Sequence, residues 1–189
     1  MKPKDILNEV DQRTLLTLAR SSVGEALATQ CRPKHVEVLS PMLRVKRGVF
    51  VTLLQEGALR GCVGFPYPSR PLAEACQEAA YSAAFEDARF PPLDPGEFID
   101  IEFEISALTE MKPIKLSQIK VGVDGLLISQ GKKSGLLLPQ VAFEERWTSE
   151  EFLGQTCLKA GLAPDAWKKG AEVLGFEAQI FGDEDMRLR

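Results

Sequence analysis

The sequence lacks several residues and patterns on which common protein functions depend. Its 189 residues include one histidine, so a zinc site with two or more histidine ligands cannot come from this chain. Its four cysteines form no Cys-x-x-Cys pair, which excludes a zinc ribbon and a thioredoxin-type motif. No apolar run reaches the roughly 20 residues of a membrane-spanning helix. We therefore expect no metal site of these kinds and no membrane association.

An excess of positive charge is also missing. The chain carries 23 Lys and Arg against 27 Asp and Glu, a net charge of −4, and the two signs are interspersed along the sequence. Because phosphate binding needs a basic surface, we expect no nucleic-acid partner. The first nine residues contain too few apolar side chains for a secretory leader, which favours a cytoplasmic protein whose cysteines are free thiols.

What is present is a globular pattern, with 44% hydrophobic and 26% charged residues. The apolar spacing predicts helix, hairpin, helix, strand, several short strands, helix and strand. In chain order, the predictions are a helix over 8–28, a strand over 49–54 with a turn at 55–57, a helix capped by Ser69, a strand over 99–105 with Ile99 on its apolar face, strands within 121–138, a helix from Thr148 to Ala160 stopped by Gly161, and a strand over 176–181 before a charged tail. This order indicates an α+β fold with mainly antiparallel sheets.

The return arm of the predicted hairpin, residues 59–64, contains the most distinctive cysteine. Gly61 and Gly64 flank Cys62, and glycine inside a strand marks a bulge or a close approach by backbone or ligand. In an extended segment Arg60 and Cys62 share one face, where the guanidinium would favour the thiolate form. Two interpretations stay open: an accessible thiol that acts as nucleophile or ligand, and a small buried thiol in a tightly packed strand.

The other thiols and the turn after the second helix have simpler interpretations. Cys76 and Cys157 fall on apolar helix faces and are predicted to be buried. Cys31 lies in a polar connection, where Pro33 disfavours the helix that would pair it with His35. In the proline-terminated turn, Asp87 and Arg89 either form a local ion pair or place a guanidinium where it binds an anion.

Several segments together resemble one protein family. They are Leu59-Arg60-Gly61-Cys62-Val63-Gly64, Arg70-Pro71-Leu72, Ala84-Phe85-Glu86-Asp87-Ala88-Arg89-Phe90-Pro91-Pro92-Leu93, Leu137-Leu138-Pro139-Gln140-Val141 and the segment 147–161. They resemble the AMMECR family, whose hallmark is L-R-G-C-I-G. The departures are small: valine replaces the commoner isoleucine at position 63, and Glu86 and Ala88 stand where Arg and Pro are usual.

The resemblance covers nearly the whole chain and implies a single AMMECR-type domain over 1–189. The implied fold has a larger lobe built from both chain ends, a smaller inserted lobe, and the hallmark near a cleft between them. It implies no particular reaction or cofactor. Prokaryotic members resemble partners of Memo-type and radical-SAM proteins in a shared system.

Two hypotheses follow from the residues and the resemblance. The first is an enzyme or enzyme component that binds a small polar or anionic ligand around Cys62, the candidate catalytic residue. The candidate ligand contacts are Arg60, Gly61, Gly64, Asp87, Arg89 and Gln140, with Arg60 and Arg89 holding anionic groups and Asp87 orienting Arg89. The alternative is a non-catalytic module that docks a Memo-type or radical-SAM partner through residues 59–64, as a contact surface or as an exposed strand edge.

Overall fold

The computed structural model of the protein describes residues 6–34 and 36–187, and these form an α+β structure, as predicted. The helices are α1 (Glu9–Thr29), α2 (Pro41–Arg44), α3 (Leu72–Phe85), α4 (Pro139–Glu144), α5 (Ser149–Lys159) and α6 (Asp183–Arg187). The strands are β1 (Val49–Gln55), β2 (Ala58–Phe65), β3 (Ile101–Leu108), β4 (Lys112–Pro113), β5 (Asp124–Gln130), β6 (Lys133–Leu137) and β7 (Glu172–Gly182). β1 pairs with β2 and β3, and β5 pairs with β6 and β7, all antiparallel.

The chain divides into two compact units. The first comprises Met1–Leu108 and Gln179–Arg189, and the second comprises Thr109–Ala178. Strand β7 contributes residues 172–178 to the second unit and residues 179–182 to the first. The second unit is therefore an insertion into the first.

The first unit packs α1 and α3 against one face of the β2-β1-β3 sheet. Val49, Val51 and Leu53 of β1 alternate toward this face and are fully buried. The buried face of α3 is mostly alanine, and small side chains let its backbone approach the sheet closely. At Gly61 the approach is so close that a Cβ atom would lie 2.2 Å from the Ala83 carbonyl oxygen. Only glycine fits there.

The second unit centres on β5, between β6 and β7, with α5 packed on β5 and β6. The short strands predicted in the glycine-rich segment are confirmed, and Gly131 turns the β5-β6 hairpin with φ of +61°. Thr148 and Glu151 form the predicted capping box of α5. Gly161 follows the helix with φ of +69°, which is the left-handed conformation expected at its end.

The predicted start of α3 is wrong. Ser69 does not cap the helix, which begins at Leu72, because Pro71 forms an isolated antiparallel bridge with Lys46. The backbone N–H of Leu72 also donates to the carbonyl of Val45. Pairing with the segment before β1 therefore keeps Pro71 itself extended and outside the helix.

One further prediction needs correction, at the start of β3, and one helix lies where none was predicted. Ile99 lies in a short 3₁₀ turn, Phe98–Asp100, and is 84% exposed, so the alternating strand begins only at Ile101. After β7, the charged tail opens as helix α6, whose Asp183 carboxylate accepts a hydrogen bond from the backbone N–H of Phe103. The backbone thus forms a 3₁₀ turn before β3, and a long-range hydrogen bond ties the first residue of α6 to β3.

Some sequence expectations fall outside the described residues. These concern the N-terminal segment, residues 1–5, and His35. Across 6–34 and 36–187, no helix combines the length and apolar character needed to cross a membrane.

Candidate functional site

The Cys62 thiol lies on the sheet face opposite α3. Its strand neighbours Gly61 and Val63 face the helical layer, so Cys62 points to the other side and is partly exposed. Across the hairpin it pairs with Thr52 of β1. The Thr52 hydroxyl Oγ1 donates a hydrogen bond to Cys62 Sγ at 3.4 Å. The thiol is therefore neither buried in the core nor without a polar neighbour.

Asp87 and Arg89 form hydrogen bonds with the backbone of Cys62 at the outer edge of the sheet. β2 is an edge strand, and its Cys62 N–H donates to Asp87 Oδ2 at 2.9 Å. Arg89 Nη2 donates to the Cys62 carbonyl oxygen at 3.0 Å. The two side chains thus satisfy the backbone groups that an adjacent strand would otherwise bind. At this residue the strand edge is occupied.

The same two residues form a two-point ion pair. Arg89 Nε donates to Asp87 Oδ1 at 2.9 Å, and Nη2 donates to Oδ2 at 2.6 Å. The Asp87 side chain is 6% exposed, whereas that of Arg89 is 55% exposed. The hydrogen bond from Arg89 holds the pKa of Asp87 well below its usual range, and the Cys62 N–H adds to this effect. Asp87 is a buried carboxylate that orients an exposed guanidinium.

Arg60, by contrast, is committed to a different ion pair. Its Nε and Nη2 donate to the Glu97 carboxylate at 3.0 and 2.9 Å, and its Nη1 donates to the Pro91 carbonyl oxygen at 3.1 Å. These bonds with Glu97 raise the pKa of Arg60 and lower that of Glu97. Arg60 as a whole is only 8% exposed. Each nitrogen of its guanidinium already has a partner within the protein.

A β-bulge explains why Arg60 is not the cation beside the thiol. Leu53 pairs with Gly61 and Leu54 pairs with Leu59, so Arg60 is an extra residue without a partner on β1. The strict alternation that would place Arg60 and Cys62 on one face is interrupted at this point. The expected guanidinium near the thiol is supplied by Arg89 instead, and a ligand contact by Arg60 stays a prediction.

The remaining predicted ligand contacts have their own structural surroundings. Gly61 admits the backbone of α3, and a Cβ atom at Gly64 would lie 2.2 Å from the Phe50 ring. Both glycines are therefore required by packing, and their contact with a ligand stays a prediction. Gln140, near the start of α4, belongs to the second unit, and its buried Oε1 has no hydrogen-bond partner among the described residues.

Thr52 and Glu97 are site residues that the sequence patterns did not identify. Counting back from the two-residue turn at Glu56 and Gly57 would place Thr52 opposite Gly61, and only the bulge moves it opposite Cys62. Glu97 lies 37 residues after Arg60, and no local spacing connects them. Counting from the turn therefore misplaces Thr52 by one residue, and no spacing in the sequence points to Glu97.

The other cysteines set Cys62 apart. As predicted, Cys76 and Cys157 are fully buried, and burial raises the pKa of the Cys76 thiol to about 12. Cys31 is exposed, as expected for its polar connection. Within the described ranges, no cluster of three or more His, Cys, Asp and Glu side chains could hold a metal ion. Cys62 alone combines partial exposure with a hydroxyl and a guanidinium nearby.

The class of protein is now defined: an α+β protein with a partly exposed thiol on an edge strand that an ion pair holds in place. The family model described as AMMECR1 matches residues 16–181. The chain belongs to the AMMECR1 family, which confirms the resemblance seen in the sequence.

Archaeal proteins are similar over almost the whole chain. A protein of Methanosarcina barkeri is 46% identical over 95% of this chain and 94% of its own length. A protein of Methanothermobacter thermautotrophicus is 46% identical over 94% of this chain and 97% of its own length. The crystal structure of an uncharacterized protein from Pyrococcus horikoshii superposes with a TM-score of 0.86, at 42% identity, covering 95% of this chain and 94% of that chain.

Proposed function

We propose that the protein is an enzyme or enzyme component that binds a small anionic ligand at the open face of β2, with Cys62 as nucleophile. One observation carries the proposal: the Asp87–Arg89 pair holds the Cys62 backbone at both its N–H and its carbonyl, and leaves the Arg89 side chain 55% exposed close to the thiol. A rigid thiol next to an oriented cation is suited to an electrophile that carries a carboxylate or phosphate group.

Arg89 has capacity for such a ligand. Its Nε and Nη2 bind Asp87 and the Cys62 carbonyl. The side chain is nevertheless 55% exposed, so the guanidinium can still meet an anion from solvent. Because Asp87 fixes the plane of the guanidinium, the group points in a defined direction. Binding an anion there therefore costs little side-chain conformational entropy, because the guanidinium is already ordered.

The nucleophilic step involves the Cys62 sulfur and an electrophilic carbon of the ligand. The thiol first loses its proton to solvent, the thiolate forms a sulfur–carbon bond, and the leaving group departs with its bonding electron pair. Arg89 is the anion contact, Asp87 orients it, and the Arg60–Glu97 pair supports the bulge beside the thiol. A free thiol in this role requires a reducing compartment, so we place the protein in the cytoplasm.

The test compares alkylation by negatively charged iodoacetate with alkylation by neutral iodoacetamide, resolved for each cysteine by peptide mass spectrometry. In both reactions the thiolate displaces iodide. We expect the rate ratio of iodoacetate to iodoacetamide to be several-fold higher at Cys62 than at the exposed Cys31. In Arg89→Gln, the ratio at Cys62 should fall to that of Cys31.

Arg13→Gln is the matched control, because Arg13 is a similarly exposed arginine paired with Glu9 on α1. It should leave the Cys62 ratio unchanged. A Cys62 that reacts only after unfolding, or an equal ratio at Cys62 and Cys31, would overturn the proposal. That outcome would favour the alternative of a module that docks a Memo-type or radical-SAM protein, by a surface other than the occupied strand edge at Cys62.

A further inference from the structure

We propose that the Thr52 hydroxyl activates Cys62 by stabilising its thiolate, a role that rests on the proposed function of the Cys62 site. The Thr52 Oγ1–Cys62 Sγ hydrogen bond of 3.4 Å is the direct side-chain contact of the sulfur across the hairpin. Nothing in the sequence patterns marks Thr52, because the bulge at Arg60 creates its register with Cys62.

The strand pairing holds this hydroxyl against the sulfur. The N–H and carbonyl of Cys62 point outward to Asp87 and Arg89, so Cys62 and Thr52 form a pair without backbone hydrogen bonds between them. Side chains approach each other most closely in pairs of this type. The Thr52 backbone is also paired on its other side with Glu104 of β3. β1 therefore cannot shift away from the thiol.

Threonine at position 52 is suited to the role for two reasons. Its branched Cβ restricts χ1, so the hydroxyl stays oriented with little entropic cost. A neutral thiol sulfur is a weak hydrogen-bond acceptor, whereas a thiolate is a strong one, so the same hydroxyl favours the charged form. In the reaction, Thr52 keeps its proton and donates a hydrogen bond to the sulfur.

Charged groups approach the thiol from two elements. Asp87 and Arg89 bind the backbone of Cys62 from the turn after α3, Glu104 of β3 pairs with Thr52, and the residue of β1 opposite Cys62 is uncharged. Arg89 attracts both the thiolate and an anionic ligand, whereas Thr52 acts on the sulfur alone. Loss of Arg89 should therefore slow alkylation by iodoacetate more than alkylation by iodoacetamide, whereas loss of Thr52 should slow both reactions equally.

The experiment measures the rate of Cys62 alkylation against pH in the full chain, with iodoacetamide and with iodoacetate, for wild type, Thr52→Val and Thr52→Ser. Thr52→Val keeps the shape of the side chain and removes the hydroxyl. We expect it to slow the alkylation of Cys62 near neutral pH about tenfold, by the same factor for both reagents. Thr52→Ser should restore the wild-type profile.

The outcomes separate this inference from the proposed function. A Thr52→Val profile equal to wild type, or equal losses in Thr52→Val and Thr52→Ser, would overturn the inference even if Cys62 keeps its preference for iodoacetate. A wild-type Cys62 without that preference would instead overturn the proposed function. The fully buried Cys76 reports folding in each sample, because it should stay unmodified in the native state. Thr52→Ala replaces Thr52→Val if Cys76 becomes reactive.

Discussion

The two faces of strand β2 differ in what they tolerate and what they do. On the closed face, Gly61 lies against the backbone of α3, with no space for even one methyl group. On the open face, the next residue, Cys62, contacts a hydroxyl and is partly exposed. Neighbouring residues of one hallmark therefore have different surroundings: one packs against a backbone, and the other is accessible from solvent. Substitutions on the closed face should change stability, and substitutions on the open face should change reactivity.

The largest expected loss of stability comes from a substitution on the closed face of β2. Gly61→Ala places a Cβ atom 2.2 Å from the Ala83 carbonyl oxygen, so α3 must move away from the sheet. We expect the free energy of unfolding to fall by about 3 kcal/mol, at the upper end of the usual cost of overpacking. Urea denaturation followed by circular dichroism measures it.

Gly24→Ala is the matched control for Gly61→Ala. Gly24 lies inside helix α1, and a Cβ atom there would meet the Phe98 ring at an ordinary contact distance of 3.4 Å. Because alanine favours helix more than glycine does, this variant should be unchanged or more stable by up to about 1 kcal/mol. Similar losses in both variants would show that the closed face of β2 has no special constraint.

An intermediate loss of stability is expected at the outer edge of β2, where Asp87 and Arg89 bind the backbone. Asp87→Asn removes the charge that binds Arg89 and weakens the acceptor of the Cys62 N–H. We expect a loss of about 1.5 kcal/mol, typical of a hydrogen bond to a charged group. Arg89→Gln should cost less, under about 1 kcal/mol, because the Arg89 side chain is 55% exposed. An equal loss in both variants would contradict the backbone role of Asp87.

The contribution of Asp87 should depend on pH in a defined direction. Arg89 holds the folded-state pKa of Asp87 below its unfolded value, so the folded state binds this proton less readily than the unfolded chain. The stabilisation is complete above the ordinary aspartate pKa of about 3.9 and is lost as the pH falls toward the folded value. Urea midpoints of wild type and Asp87→Asn should thus converge below about pH 4. A constant difference would refute this assignment.

The smallest effect on stability should come from the open face. Cys62→Ser replaces a partly exposed sulfur by an oxygen that can still bind the Thr52 hydroxyl. We expect a change of less than about 1 kcal/mol, together with complete loss of alkylation at position 62. Peptide mass spectrometry and urea denaturation of one preparation measure both. If Cys62→Ser lowered the free energy of unfolding as much as Gly61→Ala does, the two faces of β2 would not differ in their packing constraint.

The periodicity of the chain was a good guide to its elements. α1 begins next to Asn8, a turn within residues 55–57 closes the first hairpin, and Thr148 caps α5, as the sequence indicates. These signals are local, since each depends on residues within one turn of helix or one strand. They failed at Ser69 and Ile99, where contacts or turns at the ends of elements determine the backbone.

Part of the candidate site was predictable from the sequence, but the contacts among its residues were not. Cys62, Asp87 and Arg89 stand in segments that the sequence marks, and the structure brings these three together through direct hydrogen bonds. Arg60 stands in the same hallmark but binds Glu97, 37 residues away. Which residue each arginine contacts depends on where the turn after α3 meets the edge of the sheet. No local sequence pattern encodes that position.

By itself, the amino-acid sequence determined the fold class, the family and the predicted candidates Cys62, Asp87 and Arg89. Hydrophobic spacing, capping residues and the hallmark are local features of the sequence, so they can be recognised without the structure. The tertiary structure alone decided which guanidinium lies beside the thiol and which hydroxyl binds it. The physical reason is the bulge at Arg60 together with the close contact of α3 at Gly61. The first moves Thr52 opposite Cys62, and the second brings the turn with Asp87 and Arg89 to the edge of β2.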